Sequence, residues 1–108
     1  MDTVPYDTFA RLDIRTAQVI SAEPIAGKTR IMKGIIDLGD EKRTVVIGGA
    51  EYHEPESMIG RTVVVLANLE PRSVAGVRSE AMLLAADVND KPFWLSVSDQ
   101  APLGSPVR

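Results

Sequence analysis

Arg72 and Arg78 are the only charged side chains between Glu70 and Glu80, in a stretch otherwise made of proline, glycine, serine and small apolar residues. Two guanidinium groups held near exposed backbone donors suit an oxyanion or a phosphate, because each planar fork can donate two parallel bonds. Ser79 follows Arg78 directly. Its hydroxyl can go to a phosphate or a base edge, or can satisfy backbone groups of its own loop. Asn68, just ahead of the stretch, can pin the loop through its amide or reach a nucleic acid. Earlier cations offer a second set: residues 11–33 hold Arg11, Arg15, Lys28, Arg30 and Lys33 against only Asp13 and Glu23. Residues 37–56 reverse that balance, and Lys42 and Arg43 sit there among six acids. Those two are expected to add little to anion binding.

Charge and composition narrow the classes. A net charge of -3 over 108 residues argues against a protein that coats nucleic acid indiscriminately, and leaves room for a local basic face. The absence of cysteine excludes disulfides and thiolate metal sites and is compatible with a reducing compartment. His53 is the single histidine, so neither a multi-histidine metal site nor a nucleophile-histidine pair has a basis. Asp37, Asp40 and Glu41 read as a solvated hairpin rather than a cation site, and Gly48-Gly49 lacks the lysine of a phosphate loop. A non-catalytic binding protein without metal or cofactor is therefore expected. The N-terminus has neither a basic nor an apolar leader segment and no apolar run reaches membrane length, which predicts a cytoplasmic protein that avoids membranes.

The elements that must position these residues are mostly strands. A helical turn is expected over residues 7–12, capped by Asp7 and anchored by Phe9 and Leu12. Residues 13–22 read as a long first strand; Ile14 and Val19 have opposite parity, so a bulge is expected near Ala17. A turn at 23–29 leads to a second strand at 30–38, and Gly39-Asp40-Glu41 makes a tight hairpin into a third at 42–48. Pro55 and Gly60 bracket a short helix within 51–60. Two apolar strands follow, at 62–69 and 79–86, with Pro71 and Gly76 in the loop between them and Met82, Leu83 and Leu84 assigned to the core. A turn at 87–92, a short strand at 93–97 and an extended tail at 98–108 complete the chain. Phe93 and Trp94 lie on opposite strand faces, so at least one must lie away from the core. Three strands, a short helix, then two strands is the order of a five-stranded OB-fold barrel, an all-β class that takes ligands across its second and third strands between flanking loops.

Specific residues also carry a family resemblance. Asn68-Leu69-x-Pro71, then Gly76-Val77-x-Ser79-x-x-Met82-Leu83-Leu84-x-Ala86, resembles the signature of the tRNA-binding domain attached to methionyl-tRNA synthetases, found also as free-standing dimers and in the chaperone CsaA. Phe9-x-x-Leu12-Asp13-Ile14-Arg15 is similar to the start of that domain, and Asp99-Gln100-x-Pro102-x-Gly104 to its dimerising extension. The chain departs from the usual pattern at Ala17, Gly48 and Ala81. The resemblance implies one OB-fold domain over residues 1–108, with 87–108 as a dimerisation extension. It implies recognition of tRNA by shape and backbone through Lys28, Arg30, Lys33, Asn68, Arg72, Arg78 and Ser79, in the service of an aminoacyl-tRNA synthetase. The alternative it implies is a CsaA-like dimer that holds unfolded or exported polypeptides. Phe93, Trp94 and Pro102 would then make dimer or peptide contacts.

Overall fold

The computed structural model describes residues 1–108. After a short helix α1 (Tyr6–Ala10) come β1 (Ile14–Pro24), β2 (Ile31–Asp37), β3 (Lys42–Gly48), helix α2 (Pro55–Met58) and β4 (Thr62–Leu66). The chain continues through β5 (Arg72–Val74), β6 (Val77–Ser79), β7 (Met82–Leu83), β8 (Ala85–Val88) and β9 (Lys91–Trp94). One antiparallel sheet runs β3-β2-β1-β4-β7, and two separate ribbons, β5-β6 and β8-β9, project from it. The sheet curls until Glu80 donates its backbone N–H to Thr44 O at 3.0 Å, which nearly closes a five-stranded barrel with α2 between β3 and β4. This is the OB fold. No helix is long and apolar enough to cross a membrane.

Alternation along the strands fills the barrel. Met32 and Ile36 of β2, Val45 and Ile47 of β3, Val63 and Val65 of β4, and Ala17 and Val19 of β1 all point inward and are buried. Met58 of α2 joins them, while Pro55 starts the helix and Gly60 (φ +89°) ends that segment.

Several local expectations change. Helix α1 begins at Tyr6 after Pro5 with no side-chain cap, so Asp7 lies inside its first turn. The bulge in β1 lies between Val19 and Ser21, since pairing with β4 runs unbroken from Ile14 to Gln18. Ile14 needs no bulge because the tail covers its other side, where Val107 donates to Ile14 O at 2.7 Å. The strand expected at 79–86 splits after Leu83. Leu84 still donates to Val64 O, but the Ser96 hydroxyl takes Thr62 O at 2.9 Å, so β4 has no further edge to offer and the chain leaves as β8. Met82 is 43% exposed, which removes it from the core. The loop at 70–79 is itself a hairpin, turning through Ala75 (φ 52°) and Gly76 (φ 79°).

Candidate nucleic-acid interface

The outer face of β2 and β3 carries Ile31 opposite Gly48, Lys33 opposite Val46 and Ile35 opposite Thr44. The β5-β6 ribbon stands beside it. Its register pairs Arg72 with Ser79, Ser73 with Arg78 and Val74 with Val77, so Arg72 and Arg78 occupy opposite faces of the ribbon. The face with Arg72, Val74 and Ser79 borders a 230 Å³ cleft, together with Ile31, Val46 and Met82. Arg78 faces away from that cleft, so the two guanidinium groups do not converge on one anion.

The ribbon is held at its base by three polar side chains. Ser79 Oγ accepts from Val46 N at 3.0 Å and donates to Ala81 O at 3.1 Å, taking the place of a ladder bond on the β3 edge. Its proton is therefore spent within the chain. Asn68 Oδ1 accepts from Asp13 N at 2.8 Å and its Nδ2 donates to Arg11 O at 2.7 Å, tying the end of β4 to the entry of β1. Arg43 Nη1 donates to Ala67 O and to Glu80 O, one carbonyl on either side of the ribbon, and Nη2 donates to Glu41 Oε1 at 2.6 Å. Arg43 escaped the sequence reading, in which it was one charge of an acidic hairpin; only the barrel brings it to the ribbon's stem.

The remaining cations differ in how free they are. Arg30 is 85% exposed with Glu51 at 3.4 Å, and Lys33 has Glu23 at 3.9 Å. Lys28, Arg72 and Arg78 form no salt bridge and are exposed. Arg15 is bound to Asp13 through Nε and Nη2; that hydrogen bond holds its guanidinium above the ordinary range, against a smaller opposing effect of burial. No group of three or more histidine, cysteine or acidic side chains gathers as a metal site.

The candidate contact residues of the C-terminal part separate as well. Trp94 packs against the core while Phe93 stays 48% exposed, as opposite strand faces require. His53 Nε2 donates to Pro92 O at 2.9 Å, and its ring lies 5.9 Å from that of Trp94. Pro102 O accepts from Thr16 Oγ1 at 3.0 Å, within a tail that pairs along β1 through Ser105 O, Gly104 N and Val107 N.

The sequence profile of the "Putative tRNA binding domain" family matches residues 14–106, nearly all of this barrel and its tail. The chain belongs to that family. It is 44% identical over 105 residues to a methionine–tRNA ligase of Methanothrix thermoacetophila, covering 97% of this chain and 16% of that protein. It is 40% identical over 109 residues to the methionine–tRNA ligase of Clostridium tetani, covering 99% of this chain and 17% of that protein. The chain thus spans about one-sixth of the length of these relatives. Among solved structures, a MetRS-related protein from Pyrococcus horikoshii superposes with a TM-score of 0.94 at 32% identity over the whole of both chains. The chaperone CsaA of Bacillus anthracis shares the fold, with a TM-score of 0.88 at 24% identity over 99% of this chain and 100% of that one.

Proposed function

We propose that this chain is a non-catalytic tRNA-binding domain that recognises tRNA by shape and backbone, in the service of an aminoacyl-tRNA synthetase. The observation that carries this reading is the β5-β6 ribbon, with an unpaired arginine on each face, fastened beside an outer β2-β3 face that carries Lys33, with the exposed Arg30 just ahead of β2. A ribbon with one cation on either side can address two lines of phosphate, which is what recognition without a base code requires. The phosphate contacts are drawn from Lys28, Arg30, Lys33, Arg72 and Arg78, not all of them engaged at once. Asn68 and Ser79 hold the ribbon in place.

The active form is proposed to be a homodimer. Helix α1 buries none of its residues, and Val4, Tyr6, Phe9 and Leu12 stay exposed beside the tail. That apolar face, with Pro106 and Val107 of the tail beside it, suits a second copy. Sedimentation of Phe9→Glu should then show monomer where the parent shows dimer.

Titration of tRNA across salt concentrations tests the main reading. Few cations are available, so the slope should correspond to about 2 to 4 phosphates per protomer, at ~0.7 to 0.9 each. Equal affinity for tRNA and for a neutral polymer of the same size would refute it.

A further inference from the structure

Two half-exposed aromatic rings from distant segments share one cation on the β8-β9 side of the molecule. Tyr52 stands in the loop ahead of α2, and Phe93 lies on β9. The Lys91 ammonium reaches both, 5.7 Å from the ring centroid of Tyr52 and 5.2 Å from that of Phe93. Each distance is within cation–π range.

The loop and the ribbon that carry these rings are locked together. A Cβ on Gly49 would collide with the Pro92 ring, so the loop backbone lies directly against β9, where His53 Nε2 also bonds to Pro92 O at 2.9 Å. Tyr52 N donates to Gly49 O at 2.9 Å within the same loop. Charge is sorted across the ribbon. Its register puts Ala86, Val88, Lys91 and Phe93 on one face and Asp87, Pro92 and Trp94 on the other. Asp87 Oδ1 accepts from Asp90 N at 3.0 Å, and Lys91 forms no salt bridge. Glu51, beside Tyr52, has Arg30 Nε at 3.4 Å. Arg30 connects this face to the cleft of Arg72, since its carbonyl accepts from Ala50 N at 3.1 Å and Ile31, next along the chain, lines that cleft.

We propose that Tyr52, Phe93 and Lys91 form a stacking site for an unpaired nucleotide of a single-stranded RNA segment. A base can displace the ammonium from one ring face and stack there, which frees Lys91 for the phosphate of the same nucleotide. Such stacking accepts any base, because every base has a π-face. The unpaired cation decides the class of ligand. A protein covering the rings would have to bring a carboxylate to Lys91, whereas every nucleotide carries an anion beside its base. The inference rests on the reading of the chain as an RNA-binding domain, but not on the β5-β6 ribbon, whose phosphate contacts are separate from this strand.

The probe is a hexamer of oligoadenylate titrated into the full chain, read by the ring-proton resonances. Tyr52 and Phe93 should shift upfield on saturation. Tyr6 and Phe9, the only other tyrosine and phenylalanine, lie together on α1 with centroids 6.3 Å apart and should stay in place. Tyr52→Leu and Phe93→Leu keep an apolar side chain at half-exposed positions and should each weaken binding by about tenfold. Lys91→Gln should lower the salt slope by about one contact. The same losses are expected in a chain that also carries Arg72→Ala and Arg78→Ala. Ring shifts without tRNA binding would remove the ribbon and leave this site standing, while tRNA binding with unmoved rings would remove this site alone. The proposal is also overturned if the leucine variants bind the hexamer as well as the parent, if an acidic hexapeptide of alternating valine and glutamate moves the rings as strongly, or if Phe93→Leu changes the sedimentation of the chain.

Discussion

The β5-β6 and β8-β9 ribbons follow the same local rules and arrive at opposite chemistry. Each turns through two residues of positive φ, Ala75 and Gly76 at 52° and 79° in one, Asn89 and Asp90 at 51° and 68° in the other. Such turns match the twist of the flanking strands. One ribbon then carries Arg72 and Arg78, while the other carries Asp87, Asp90 and a Lys91 whose Nζ lies 5.7 Å and 5.2 Å from the ring centroids of Tyr52 and Phe93. Their anchors differ too. The basic ribbon is fastened by polar bonds from Arg43 and Ser79 to backbone, and the acidic one by packing, with Trp94 against the core and His53 on Pro92 O. A hairpin turn can be written into any short stretch, but what the hairpin presents and how firmly it is held come from elsewhere in the chain.

Breaking the anchors separates the two ribbons. Trp94→Ala should have the largest effect, lowering stability in a denaturant titration by about 3 kcal/mol through lost packing, with tRNA affinity of the folded fraction unchanged. Loss of tRNA binding at full folding would mean that the two ribbons act as one unit. Arg43→Ala comes next. It leaves the Ala67 and Glu80 carbonyls without their charged donor and should cost about 2 kcal/mol of stability, while weakening tRNA binding several-fold through a loosened β5-β6 ribbon. Adding Arg43→Ala to a chain already lacking Arg72 and Arg78 should cost no further affinity if Arg43 only positions the ribbon; an additive loss would make it a phosphate contact itself.

Contacts on the basic side should act on binding alone. Arg78→Ala is expected to cost about 1 to 3 kcal/mol of tRNA affinity and to lower the salt slope by about one contact, at unchanged stability. Lys33→Ala should weaken binding several-fold, and Lys42→Ala should leave it as it is. Damage from Lys42→Ala would move the interface to the hairpin after β2. The smallest effect belongs to the turn. Alanine pays for a left-handed φ that glycine adopts freely, so Ala75→Gly should raise stability by about 0.5 kcal/mol, whereas Asn89→Gly, which starts from a tolerant residue, should change it less. Thermal unfolding of the pair decides this, and equal shifts would remove the contrast.

The strands and α2 were legible because their signals are local. Gly39-Asp40-Glu41 makes a hairpin between two runs of β-formers, and β3 occupies the expected residues 42–48. Pro55 and Gly60 mark a short helix and its exit for reasons contained within a few residues. The candidate cations were legible as types, but their directions were not. That Arg72 and Arg78 point apart depends on a register set by the turn at Ala75 and Gly76, which a reading of 70–79 as a loop does not resolve. The end of the strand after Leu83 was hidden for a different reason. Nothing in Leu84-Ala85-Ala86 signals a break, and the stop comes from the Ser96 hydroxyl occupying Thr62 O, 34 residues away from its own position.

By itself the sequence determined the class of fold, the order of the first four barrel strands and α2, and the family, since hydrophobic alternation, turn residues and the Asn68 to Ala86 signature all lie along the chain. Only the tertiary structure decided what the polar residues do. Ser79 meets Val46 across 33 residues, Arg43 meets Glu80 across 37, and Asn68 meets Asp13 across 55. Each had the chemistry to contact a ligand or to hold the backbone. A hydroxyl or guanidinium brought by barrel closure against a part-buried backbone group bonds to it, because leaving such a group unsatisfied away from water costs more than the bond to a passing ligand returns, while the exposed Asn68 amide is held by bonding two backbone groups at once.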